Sequence, residues 1–328
     1  MTWSWAITLV ALAAIALPAE AGERLKVLAR IGVGAEPLGL ERTADGRILV
    51  VAVQEKALYA IDTGRRQVVG RLDLTSHGRL NRVIADPATR AIFVTASVKG
   101  KVVVVDWEIT RVTGVIGVGA FPQGMALYGK YLLVANTAGR SISVIDTGQG
   151  KVIRTIDAGD RPHSLAVDRP RQRLIVVKST TRSVWTFDLA GYRKTRTITN
   201  RALTRPMDVV AVADGTLLLV DSKQDKLLRI AGDDGRVLGE IELADPACPD
   251  CGAFIPTAVT LSPDGRSAAV ASRNGAISLI DVAENRLLAS RIVGRDLRDV
   301  VFVNRDRIAV TSFATGEVVV VDGAVADR

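Results

Sequence analysis

An apolar run ending in Asp recurs along the chain at Asp62, Asp106, Asp146, Asp188, Asp281 and Asp322. One place is degenerate, with Ile230-Ala231 standing where Ile-Asp is expected. With Ala231 counted, the spacings are 44, 40, 42, 43, 50 and 41 residues. A second marker, usually Pro, follows each of these places: Pro37, Leu80, Pro122, Pro162, Pro206, Pro256 and Leu297, spaced by 43, 42, 40, 44, 50 and 41. The two markers both count seven and put the one long interval in the same unit. A fixed period of this length means that each unit is one supersecondary element, stacked on its neighbours to bury a shared core.

Each unit carries about four short runs rich in Val, Ile and Leu, such as ILVVAV, ALYAID and QVVGRLDL in the first. Asp-Gly, Thr-Gly or Asn-Gly pairs separate them, as expected of β-strands joined by tight turns. No segment sustains a 3.6-residue apolar period, so helices should be scarce. Four strands per unit and seven units give an all-β fold, a seven-bladed β-propeller. The chain finishes at EVVVVDGAVADR, a third-strand pattern, while ERLKVLARIGVG near the start matches a fourth strand. The N-terminal strand should therefore complete the last blade and remove an open edge. In the Asp-Thr-Gly at 62–64 and 146–148, Asp should cap backbone donors and Gly should take a positive φ. The same slot reads Asp-Trp-Glu, Asp-Leu-Ala and Asp-Val-Ala elsewhere, which speaks against an aspartic-protease motif.

The clearest unit, residues 131–168, contains Val-Ala-Asn-Thr, Ser-Val-Ile-Asp-Thr, Val-Ile-Arg-Thr-Ile and Gly-x-x-Pro in that order. This pattern resembles the YVTN-type β-propeller repeat family and extends over nearly all of residues 24–323. Blades three and four match best. The second blade lacks the Pro, the fifth lacks the Asp, and the seventh has Leu297 for Pro. The resemblance implies an extracytoplasmic binding or scaffold protein, related in shape to propellers that hold d1-type haem or form amine dehydrogenase large subunits. A fold does not dictate a function, which has to be argued from its site.

Trp5 to Leu17 is an unbroken apolar run, followed by Pro18 and the small-x-small sequence Ala19-Glu20-Ala21. This reads as a secretory signal peptide over residues 1–21, cut after Ala21, although no Lys or Arg precedes the run. The propeller domain would occupy 22–328, with a periplasmic or secreted location and no integral membrane segment after cleavage. The formal charge is +8, and the Arg residues are scattered rather than grouped. That distribution, with the compartment, argues against nucleic acid and for another envelope protein or a small anionic ligand. A monomer is expected.

If the Pro marker opens the innermost strand of each blade, the residues around it ring one mouth of the central channel. There the otherwise uniform repeat varies and turns polar, and function is usually grafted onto such positions. The candidate ligand-binding residues are Arg79, Asn81, Arg82, Gln123, Arg161, His163, Arg205, Asp208, Arg298 and Asp299. The arginines could converge on an anion, since guanidinium forks suit carboxylate or phosphate. Alternatively the mouth is simply wet, with pairs such as Arg82 and Asp299 satisfying one another. The long interval comes from ADPACPDCGAF (244–254), which holds the only cysteines, Cys248 and Cys251. In an exported protein these are expected to form a local disulfide pinning a loop over the same face. His77 and His163 fall on that face too, and the alternative is a periplasmic redox propeller holding zinc or copper, a haem ligated by His163, or a quinone-derived cofactor there. Otherwise no cofactor is expected. No Gly-x-Ser-x-Gly elbow, His-Glu-x-x-His helix or phosphate loop occurs, and no catalytic residue is assigned.

Overall fold

The computed structural model describes residues 24–243 and 253–324. Strands are numbered β1 to β28 in chain order, and among the described residues they form seven four-stranded antiparallel sheets. The proposed leader at 1–21 and both cysteines lie outside the described residues. No helix among those described is long and apolar enough to cross a membrane; the one helical element among the described residues is a 3-10 turn, Thr75–His77.

Each blade runs from the channel outward in chain order. The first strands are β2 (Pro37–Arg42), β6 (Leu80–Asp86), β10 (Pro122–Tyr128), β14 (Ser164–Asp168), β18 (Pro206–Ala211), β22 (Pro256–Leu261) and β26 (Leu297–Asn304). Each touches the first strand of both neighbouring blades, which places them around the axis. The marker opens the strand in six blades. In the fourth, β14 starts two residues after Pro162. Second and third strands are covered on both faces by adjacent blades, so they read as continuous apolar runs. In β3 (Ile48–Ala52), for instance, every residue is buried. Fourth strands lie at the rim, and β17 (Lys194–Thr199) buries only Ile198. Seven apolar clusters result, one at each junction between blades. With roughly 1.5–3 kcal/mol for each fully buried aliphatic side chain, these junctions are the main source of stability.

The strand-ending Asp works as expected. Asp62, Asp106 and Asp146 accept the backbone N–H of Arg65, Thr110 and Gln149 at 2.9, 2.7 and 3.0 Å. The glycine expectation needs correcting. Gly64 and Gly148 do not adopt positive φ; Arg66 (57°) and Gly150 (63°) do. The turn is longer than a two-residue hairpin, and its left-handed residue is the last before the next strand begins. The ends join as expected: β1 (Val27–Gly32) pairs antiparallel with β28 (Glu317–Asp322). Flanking bonds from Leu25 N–H to the Asp322 carbonyl (2.8 Å) and from Val33 N–H to the Gly316 carbonyl (3.0 Å) extend the seam.

Candidate functional site

The first strands descend from one mouth of the channel, here called the marker face. In six of the seven blades their pairing with the second strand shifts register near the marker. Such bulges re-aim side chains at the rim of a closed fold, and the candidate residues hang from this irregular stretch.

Asp299 and Asp208 hold the inner ring together. Asp299 of blade seven accepts the Leu40 N–H of blade one at 2.8 Å. Asp208 of blade five accepts the Val259 N–H of blade six at 3.1 Å and a hydrogen bond from the Ser164 hydroxyl of blade four. Arg82 reaches from blade two past blade one to pair with Asp299. The mutual satisfaction of Arg82 and Asp299 is thus realised. Burial opposes the charge on Arg82, but the carboxyls of Asp299, Asp208 and Glu41 overcome that and raise its pKa. Burial pushes the Asp208 carboxyl up.

Glu41 was not among the candidates. Burial, and then the charge of Asp299, push its carboxyl up to about 8, against the opposing pull of Arg82. It therefore stays protonated at neutral pH. A signal did exist in the sequence. Glu41 lies four residues after its marker, in a column otherwise filled by Ile84, Ala126, Ala166, Val210, Thr260 and Val301.

Nearer the mouth, His163 Nδ1 lies 3.0 Å from the Met207 carbonyl. A carbonyl only accepts, so Nδ1 carries the proton. Burial, then the positive charges of Arg82 and Arg205, lower this imidazole to about 4 and keep it neutral. Those cationic neighbours suit an anion better than a metal ion. Among the described residues no group of three or more His, Cys, Asp or Glu side chains is gathered as for a metal. Gln123 accepts the Thr137 hydroxyl at 3.1 Å, and Asn81 is half-buried beside the channel.

The arginines divide into two groups. Arg82 is bound to Asp299, and Arg298 donates to Asp296 at 2.7 Å while its guanidinium lies 4.6 Å from the Phe313 ring centroid. Arg79, Arg161 and Arg205 are exposed on the marker face, and no described residue accepts a bond from their guanidinium groups. The loop carrying Arg205 is firmly placed. Buried Asp221 accepts the Thr204 hydroxyl and the N–H groups of Thr204 and Arg205 at 2.6, 2.6 and 2.8 Å. Two of the five arginines are therefore internally paired, and three are exposed.

The chain is a seven-bladed β-propeller with a part-buried Arg82–Asp299 pair on its first strands and exposed arginines at the marker face. Solved structures of the same shape include hydrazine synthase from Kuenenia stuttgartiensis, at 17% identity and TM-score 0.78 over 89% of this chain and 97% of that one. Virginiamycin B lyase from Staphylococcus aureus is another, at 12% identity and TM-score 0.75 over 89% and 98%. The likeness is one of fold. No family profile matches the sequence, and neither does any curated protein.

Proposed function

We propose that the chain is an exported binding propeller of the YVTN repeat type, which takes an anionic ligand or acidic partner surface at its marker face. The observation that carries this is the trio Arg79, Arg161 and Arg205, exposed and without an internal acceptor among the described residues. Most other charged groups around the channel are already paired. An unpaired guanidinium held on an ordered loop keeps its donors for a carboxylate or phosphate at low ordering cost. In this reading the leader at 1–21 directs export to the periplasm or beyond, and a Cys248–Cys251 disulfide pins the long loop over the same face. The protein acts as a monomeric binder or scaffold and needs no resident cofactor.

Fluorescence anisotropy with a labelled oligo-glutamate peptide tests this. Arg161→Ala/Arg205→Ala should weaken binding at least tenfold, since charge-assisted bonds contribute about 1.5–3 kcal/mol each when sheltered and less when exposed. Added salt should weaken the wild type as well. Unchanged affinity in the double variant would sink the reading.

A further inference from the structure

In two blades the Ser or Thr that follows the second strand stitches neighbouring blades together, whereas Ser222 donates to the Arg205 carbonyl of its own blade at 3.4 Å. Thr137 donates to the Pro162 carbonyl at 2.7 Å, and Ser179 donates to the Pro206 carbonyl at 2.5 Å. Ser97 occupies the same place in blade two, yet its hydroxyl is buried, with the residue 1% exposed, and has no hydrogen-bond partner. An unmet buried hydroxyl is costly and calls for an explanation. Ser97 lines a hollow of about 550 Å³ on the marker face, together with Val98, Lys99, Val118, Phe121 and Ala138.

The walls of this hollow are apolar and open to solvent. Val98 is 69% exposed and Phe121 36%. They are also fixed in place: Ser97 N–H donates to the Arg79 carbonyl at 2.8 Å, and Thr137 N–H to the Phe121 carbonyl at 3.0 Å. The first of these bonds ties the hollow to the loop that presents Arg79. Lys99 is exposed at its rim, while Arg140, which lines a neighbouring hollow, lies 3.7 Å from Asp160. Across the ridge formed by residues 138–140 lies a second hollow, of about 600 Å³, lined by Arg140, Asp157 and Gly159 among others. An apolar seat with a mostly basic rim spread over successive blades suits an extended ligand better than a compact one.

We infer that this hollow is the anchor pocket for an extended acidic peptide of a partner protein. One apolar side chain of the peptide sits between Val98 and Phe121, and flanking carboxylates meet Lys99 and Arg79. The inference rests on the proposed anionic-ligand reading and adds the partner's chemistry to it. It follows the anchor-and-pocket pattern of extended peptide recognition.

Two labelled peptides test it by anisotropy: glutamates flanking a central phenylalanine, and the same peptide with serine at the centre. The phenylalanine peptide should bind the wild-type protein about tenfold more tightly, as burying one aromatic side chain predicts. Val98→Asp should abolish that preference. Equal binding of the two peptides, no saturable binding of the phenylalanine peptide, or a preference that survives Val98→Asp overturns the pocket. Loss of the pocket with the arginine effect on oligo-glutamate intact leaves the earlier reading standing. Failure of the arginine pair alone removes that reading instead.

Discussion

Asp299 has two duties, accepting a backbone N–H across the blade seven to blade one seam and neutralising Arg82. Removing it leaves both partners unmet. Asp299→Ala should cost about 3 kcal/mol, the low end for breaking a buried pair because the Arg82 side chain is still 28% exposed. Adding Arg82→Met should recover part of that loss, since the orphaned cation is gone; guanidinium unfolding midpoints of the three proteins check the coupling. Glu41 and His163 titrate in opposite senses. Glu41 is raised to about 8 by burial and by Asp299, so between its ordinary carboxylate range and pH 8 the folded state holds a proton that the unfolded chain has lost. Its contribution to stability therefore falls as pH rises through that window. His163, lowered to about 4, contributes stability that grows from pH 4 to about 6.5. Above roughly pH 6.5 only Glu41 acts, so the difference between wild type and Glu41→Gln should slope between pH 6.5 and 8 and flatten beyond. A difference constant across that window would refute the assignment.

Among the elements, neighbouring first strands pack backbone against backbone at two glycines. A Cβ on Gly124 would lie 2.6 Å from the His163 carbonyl oxygen and 3.1 Å from Ser164 Cα, both in the next blade. Gly39 is similarly placed against Asn81 and Arg82. Backbone cannot yield as a flexible side-chain end can, so Gly124→Ala should destabilise by about 1–3 kcal/mol, the usual cost of overpacking. Thermal unfolding measures this, and it should also disturb the ligand face, because His163 is the residue displaced. Strand identity was legible in the sequence because the doubly covered second and third strands spell out unbroken apolar runs. The pair Arg82 with Asp299 was legible as the alternative to an open anion site, and it formed. Which of the other arginines would stay unpaired was not, because that depends on how the loops before the markers place Arg79, Arg161 and Arg205 around the ring. Glu41 lies four residues after its marker, two beyond the last polar ring around the mouth, in a column that is otherwise mostly aliphatic.

For the whole molecule, the count of blades and the seam between the ends could be read from two sequence markers, since a ring of equal units leaves little freedom once the period is known. The seam depends on few residues. Deleting residues 24–32 removes β1 and exposes the Val318–Val321 edge of β28. Bare apolar edges pair with other chains, so the truncated protein should unfold at lower temperature and form larger species by size-exclusion chromatography. An unchanged monomer peak with an unchanged melting temperature would contradict this.

The seam also sets an order of events. The strand at the head of the chain finds its partner only once the last strand exists, so the circle is the final structure to form and the first that can be undone. Until then the blades stand as an open arc with an unfinished edge at the end. Pulling on the two termini would load this one strand pair before any blade, as a zip parts at its slider. The time a newly made chain spends as that arc is therefore governed by a single loop closure spanning almost its entire length, a slow, entropy-limited step.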